Sequence, residues 1–186
     1  IKHNADLGIV VDPDVDRLAL VSEDGEMFGE EYTLVAVADY VLNHTKGSTV
    51  SNLSSTRALR DVTEGEDCEY FASAVGEVNV VDKMKEVNAI IGGEGNGGVI
   101  YPTSHYGRDA LVGIGLFLSH LATFNGKTKK ACSKLRSTYN SYFISKNKIE
   151  LTPDINVDEI LSKVHEKYKK QPVNTIDGVK IEFDKE

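Results

Sequence analysis

Residues Thr49 to Gly98 read TVSNLSSTRALRDVTEGEDCEYFASAVGEVNVVDKMKEVNAIIGGEGNGG, and the pattern of this stretch decides the fold class. Strand-like runs at Thr49–Leu53, Glu69–Ser73 and Ala89–Gly92 alternate with helical spacing at Thr56–Val62 and Glu77–Glu86. Strand and helix repeating with short joints predict an α/β domain whose mixed, mainly parallel sheet is covered by helices on both faces. In such sheets ligands sit at the carboxyl ends of the strands. Ser54-Ser55, Val75-Gly76 and the run from Gly92 to Gly98 all fall there and form the candidate rim.

Upstream, Leu34, Val37, Ala38, Val41 and Leu42 recur at helical spacing and predict an amphipathic helix over Glu30–His44, with Glu30 and Glu31 suiting its dipole. Before it, Asp6–Val21 reads as two short buried strands interrupted by an acidic turn, and Asp24-Gly25 as a hairpin turn returning through Met27 and Phe28. Downstream, helices are expected over Arg108–Ala122 and Thr128–Tyr139, with Gly126 as the stop between them. Beyond Tyr139 the texture becomes α+β: a strand over Tyr142–Leu151, a joint at Pro153, a charged helix over Val157–Lys170 and a strand around Val179–Phe183.

Composition narrows the classes. A chain of 186 residues with 40% hydrophobic side chains can bury a core. Acidic residues exceed basic ones by 29 to 21, and the cations are scattered, which argues against a nucleic-acid partner. The most apolar stretch, Ala110–Phe124, is shorter than the roughly 20 residues of a membrane helix, so no membrane span is predicted. Cys68 and Cys132 lack metal or redox spacing and read as two buried free thiols. No secretory leader pattern precedes the first strand, so a cytoplasmic chain is expected, and Ile1 in first place suggests a piece of a longer one.

Asp12, Asp14 and Asp16 alternate directly after the apolar run Leu7–Val11. Three carboxylates at that spacing repel one another, and a hard divalent cation relieves the repulsion. With no soft ligand nearby, magnesium fits better than zinc, and Arg17 adds a fixed cation able to hold a phosphate. The same D-x-D-x-D pattern begins a calcium loop, but Arg17 stands where that loop needs glycine and the flanks read as strands. A solvated acidic turn is the remaining alternative; placement between two apolar strands favours the cation.

In GGEGNGG, Gly92 to Gly98, glycines surround Glu94 and Asn96. Close backbone approach and a carboxylate that accepts two hydrogen bonds suit a sugar diol, although a plain strand-to-strand turn uses the same residues. No G-x-G-x-x-G opens a helix, which disfavours a nicotinamide enzyme. Glu77 either serves a helix dipole or meets a ligand. Arg108 is placed to reach a ligand phosphate, beside Asp109 as a helix cap. Arg57, at a helix start, is ambiguous, and His105 reads as a loop histidine or a general acid.

Taken in order, DPDVDR (Asp12–Arg17), VGEVNV (Val75–Val80), GGEGNGG (Gly92–Gly98) and GRDA (Gly107–Ala110) resemble the α-D-phosphohexomutases, the phosphoglucomutase, phosphomannomutase and phosphoglucosamine mutase family. The likeness covers nearly the whole chain. It implies a four-domain enzyme that moves a phosphoryl group between positions 1 and 6 of a hexose through a phosphoserine and a bisphosphorylated sugar. By the same resemblance Asp12, Asp14 and Asp16 hold Mg2+, Arg17 acts beside them, and Glu94 and Asn96 bind the sugar, with Glu77 and Arg108 as further substrate contacts. It implies boundaries at 1–25 for the end of domain 2, 26–140 for domain 3 and 141–186 for the start of domain 4. Pro13, Glu77, Asn96 and Gly98 look like the archaeal-type branch that includes phosphoglucosamine mutases. The phosphoserine of domain 1 and the phosphate loop of domain 4 would lie outside this chain, which is then expected to be inactive alone. A non-catalytic phosphosugar- or metal-binding module on the same fold is the alternative.

Overall fold

The first strands, β1 (Leu7–Val11) and β2 (Leu18–Ser22), pair antiparallel with Val11 opposite Leu18, so Asp12–Arg17 is held out as a loop. The structure, a computed structural model, describes residues 2–124, 131–152 and 155–183. β2 alternates buried and half-buried side chains, whereas β1 leaves Ile9, Val10 and Val11 exposed. This corrects the expectation of two buried strands: β1 has β2 as its sheet partner, Leu7 packs against the core, and the described residues leave Ile9, Val10 and Val11 in solvent. The expected turn forms after β2, with Gly25 at φ 90° and Val21 bridged to Met27.

Helix α1 (Glu30–His44) follows, then β3 (Thr49–Asn52), α2 (Ala58–Gly65), β4 (Tyr70–Ser73), α3 (Glu77–Glu86), β5 (Ile91–Glu94), β6 (Gly98–Ile100), α4 (Ala110–Thr123) and α5 (Ala131–Thr138). The sheet order is β4-β3-β5-β6; β3 is parallel to β4 and β5, and β6 returns antiparallel. The step from β3 to β4 and the step from β4 back across to β5 run in opposite directions. Right-handed crossovers therefore put α2 and α3 on opposite faces. The core divides accordingly. Ala58 and Leu59 of α2 pack in the cluster with Leu18, Leu34, Val35 and Phe117, while Val80 and Met84 of α3 join Val50, Ala89 and Ile100.

Each fully buried Leu or Phe in these clusters contributes about 1.5–3 kcal/mol, and Phe28 meets Phe117 edge-on with ring centroids 5.0 Å apart. α1 departs from simple amphipathicity. Tyr32 through Ala38 are all buried, because the helix lies between the sheet, α2 and α4. Gly92 lets α3 approach β5 closely, since a Cβ there would run into Met84 and the Val50 carbonyl oxygen. Cys132 is buried, with burial pushing its thiol pKa up, but Cys68 is only half-buried, against the reading of two buried thiols.

Two compact units result, Ile1–Tyr142 and Phe143–Glu186. The second holds α6 (Val157–Tyr168) and an antiparallel pair, β7 (Val173–Asn174) and β8 (Lys180–Ile181). The strand expected over Tyr142–Leu151 does not form; that segment has no ladder partner among the described residues. The final strand is present but short, and its partner β7 was not anticipated. The expected stop at Gly126, the helix start at Thr128 and the joint at Pro153 lie outside the described residues. No helix among the described residues is long and apolar enough to cross a membrane.

Candidate functional site

The acidic loop is built by its own backbone. Asp12 Oδ1 accepts the N–H groups of Asp16 (3.2 Å) and Arg17 (3.1 Å), and the Val15 N–H reaches the Asp12 carbonyl. Val15 is held at φ 58°, a left-handed conformation that β-branched residues rarely adopt. Its carbonyl accepts the Ala110 N–H at the start of α4, at 3.1 Å, which ties the strained turn to the helix. One oxygen from each of Asp12, Asp14 and Asp16 lies within 4.8 Å of the others. Asp16 Oδ1 is buried without a hydrogen-bond partner among the described residues, so this member of the cluster keeps a hard oxygen donor unused. The three carboxylates fit a magnesium-like ion.

Electrostatics separate the two inner acids. Partial burial works to raise the pKa of Asp12, but the amide bonds from Arg17 and Asp16 outweigh it and leave the value lowered. Asp16 is raised: desolvation dominates the attraction of Arg108, and Asp14 and Asp12 add repulsion. Arg17 stands at the edge, its Nε 3.8 Å from both Asp12 and Asp16 and its side chain 51% exposed.

Three parallel strands end at this rim, β3 at Asn52, β4 at Ser73 and β5 at Glu94. The β5–β6 hairpin turns through Gly95, Asn96 and Gly97, with Asn96 Oδ1 accepting the Gly98 N–H at 3.2 Å. Gly97 sits at φ 87°, and a Cβ there would collide with the Leu18 carbonyl oxygen. Its own carbonyl accepts the Leu18 N–H at 3.1 Å, so the glycine turn is bonded to the exit of the acidic loop. Asp12, Arg17, Glu30 and Asn96 together line a depression of about 260 Å³ at this junction.

Arg108 gathers the acids. Its Nη1 donates to Glu94 Oε2 at 2.7 Å, its Nη2 pairs with Asp16, and its Nε lies 3.3 Å from Glu77 Oε2. Glu77 also accepts the Arg108 backbone N–H at 2.9 Å. The guanidinium expected to reach a phosphate is thus occupied by three carboxylates. Glu77, first residue of α3, faces Arg108 rather than only the helix dipole. Asp109 caps α4 through the N–H groups of Leu111 and Val112, and His105 Nε2 lies 3.0 Å from its other oxygen. The His105 hydrogen bond dominates in holding the Asp109 pKa down. Arg57 takes the N-cap position of α2 without a side-chain cap bond.

Asp16, Glu77, Glu94 and Arg108 therefore meet, with Asp12, Asp14, Arg17 and Asn96 on the adjoining loop and turn. Sequence reasoning missed Asn52. Its Nδ2 donates to Glu94 Oε1 at 2.7 Å while its Oδ1 accepts from Ser54 and Ser55. The signal was an amide at the carboxyl end of the central strand, beside two serines already on the rim.

An α/β/α domain with an acidic loop clasped to a glycine turn at the strand ends is the class defined by this fold and site. Residues 29–142 match the family model described as phosphoglucomutase/phosphomannomutase, alpha/beta/alpha domain III, and the chain belongs to that family, within the α-D-phosphohexomutase superfamily. It is 32% identical over 183 residues to a phosphoglucomutase/phosphomannomutase of Thermococcus kodakarensis, covering 97% of this chain and 39% of the relative. It is also 32% identical over 181 residues to a phosphoglucosamine/phosphogalactosamine mutase of Sulfurisphaera tokodaii, covering 95% and 39%. A crystal structure of a phosphoglucomutase/phosphomannomutase family protein from Burkholderia thailandensis superposes with a TM-score of 0.78 at 26% identity, over 96% of this chain and 38% of that one. The chain thus spans about 39% of the length of these two curated relatives.

Proposed function

We propose that the protein carrying this chain interconverts the 1- and 6-phosphates of a hexose (glucose, mannose or glucosamine) through a phosphoserine and a bisphosphorylated sugar. The observation that carries the reading is the joining of acidic loop and glycine turn, through the Leu18–Gly97 bond and the Arg108 guanidinium. The names of the relatives support the substrate class. In this reading 1–25 end domain 2, 26–140 form domain 3 and 141–186 begin domain 4, with the phosphoserine on domain 1. Phosphosugars are charged and do not cross membranes unaided, so the cytoplasm is the compartment that supplies the substrate.

Asp12, Asp14 and Asp16 would hold Mg2+, which when bound offsets phosphoryl charge during transfer. Arg17, at the mouth of the loop, donates to the transferring phosphate. Each oxygen of Glu94 keeps one lone pair beyond those engaged by Asn52 and Arg108. Since Glu94 is only 5% exposed, a sugar hydroxyl reaches it by replacing Arg108 Nη1 on Oε2. The displaced guanidinium is then free for the distal phosphate, with Glu77 close by to steer it. Asn96 lines the depression beside the acidic loop together with Asp12 and Arg17, and meets the sugar from that side. A carboxylate that grips vicinal hydroxyls serves the sugar in either orientation, as a mutase requires. In the first transfer the Ser O–P bond breaks, a sugar O–P bond forms and the sugar hydroxyl proton passes to the serine oxygen. In the second the sugar's other O–P bond breaks, the Ser O–P bond re-forms and the serine proton passes to the sugar oxygen left behind.

The test is a coupled assay of hexose 1-phosphate conversion in the gene product that carries this chain. Asp14→Ala should lose most turnover at limiting magnesium, and unchanged activity there would overturn the metal assignment. Glu94→Gln should weaken binding of both phosphate isomers; an effect on one isomer alone contradicts a shared pocket. Magnesium-dependent binding of hexose phosphates by the unaltered protein, with no turnover, would instead support the non-catalytic module.

A further inference from the structure

We propose that Asn52 is a positioning residue for Glu94: a permanent anchor that aims the sugar-binding carboxylate while Arg108 leaves it. The inference rests on the reading of Glu94 as the acceptor of sugar hydroxyls. Asn52 is 3% exposed and closes the central strand, opposite Ser73 on β4. It is not among the residues lining the depression beside the acidic loop, and it acts through Glu94.

The orientation of its amide follows from a closed circuit of hydrogen bonds. The Gly95 N–H donates to Ser55 Oγ at 2.9 Å. With its oxygen occupied as acceptor, the Ser55 hydroxyl turns its proton to Asn52 Oδ1, at 2.8 Å, and Ser54 donates to the same oxygen at 3.0 Å. Two donors on one side fix the carbonyl there, which leaves Nδ2 facing Glu94 Oε1 at 2.7 Å. Glu94 and Gly95 are chain neighbours, so the circuit returns to its starting point. Below it, Glu31 accepts the Thr56 N–H at 2.7 Å, which steadies the Ser54–Thr56 segment from α1.

The chemistry of the residue matters as much as its place. A neutral donor orients the carboxylate without neutralising it, and the full charge stays available to the substrate hydroxyls. The two partners of Glu94 differ in what else they can do. Arg108 sits on the partly open side and has other acids to hold, so its bond is exchangeable. Asn52 is sealed beneath the sheet end with every polar atom used, so its bond persists through the exchange.

The test uses the gene product that carries this chain, assayed with glucose, mannose and glucosamine phosphates, with Glu94→Gln as the reference. Asn52→Leu keeps the shape and removes the donor; losing a hydrogen bond to a charged group should raise KM about 10- to 100-fold for both phosphate isomers, with kcat changed less. Asn52→Asp sets two carboxylates at hydrogen-bond spacing, where they share a proton. Its KM should therefore fall towards the unaltered value as pH is lowered from about 8 to 6, a dependence that Asn52→Leu lacks. Ser55→Ala, which frees the amide to turn, should raise KM in the same sense and by less. If the Asn52 variants do not melt cooperatively, Ser55→Ala decides alone, and an unchanged KM there overturns the proposal. Wild-type KM in the Asn52 variants, beside a raised KM in Glu94→Gln, also overturns it and leaves the functional reading intact. No effect of Glu94→Gln itself removes that reading instead.

Discussion

Replacing Arg108 by Ala withdraws one cation from three carboxylates, and the structure sets the size of the effect. The Arg108 side chain is 14% exposed, Glu94 6% and Asp16 19%, so these two contacts are largely screened from water. Breaking a buried pair by removing one partner costs about 3–5 kcal/mol, because the survivor is left charged and unpaired. Glu77, at 35%, recovers hydration and adds about 0–1 kcal/mol. Partial exposure of Asp16 argues for the lower end, about 3 kcal/mol in all, which for a domain of this size lowers Tm by about 6–12 °C. The assay is thermal unfolding of the chain followed by circular dichroism. Arg108→Ala combined with Glu94→Gln should recover part of the loss, since the most buried orphan is then neutral. Magnesium should raise Tm more in Arg108→Ala than in the unaltered chain, because a cation at the acidic loop takes over some of the charge beside Asp16. A Tm within about 1 °C of the unaltered chain, or strictly additive losses in the double variant, would refute the picture of Arg108 as the internal counter-ion.

Three further outcomes follow from the same structure. Burial works to raise the pKa of Asp39, but hydrogen bonds from His120 and Tyr139 outweigh it and leave it below the ordinary 3.8. Its contribution to stability is therefore complete above that value and lost as pH falls through the lowered one. Tm of the unaltered chain should drop more steeply than that of Asp39→Asn below about pH 4, and parallel curves would contradict the assignment. Gly97→Ala forces a side chain into the left-handed region and against Leu18, so unfolding in urea should show a loss of about 2–4 kcal/mol; an unchanged midpoint would mean the turn is not clasped to β2. Asp109→Ala removes the α4 cap and should cost about 1 kcal/mol in the same titration, whereas no change would show that other groups satisfy the Leu111 and Val112 amides.

How far the sequence could be read depended on how local each signal was. Helix α3 runs over Glu77–Glu86 as its spacing predicted, because helical periodicity is complete within a few turns. β5 runs on to Glu94, beyond the predicted end at Gly92. Glycines read as a turn, yet Gly92 lies inside the strand to admit Met84, a reason visible only once α3 is packed. The residues from Tyr142 to Leu151 read as a strand, but a strand needs a partner, and pairing is not encoded in the run itself. β7, two residues long, is too brief to announce itself.

The site divides along the same line. The Asp12–Asp14–Asp16 cluster was legible because its repulsion is set by neighbours in sequence. Glu94 was legible as a carboxylate framed by glycine, but not its partners, since Asn52 lies 42 positions away. Arg108 shows why residue type alone falls short: a guanidinium at the start of a helix on the rim suggests a phosphate ligand, yet the anions beside it in the fold are three carboxylates. In the proposed reading of Glu94 and Arg108 as substrate contacts, a sugar hydroxyl that takes the place of Arg108 Nη1 on Glu94 Oε2 turns the guanidinium towards the phosphate, and partners are exchanged at this centre. An exchange of that kind is specific only if something holds Glu94 still while Arg108 moves, and the buried amide of Asn52 is the group in place to do it.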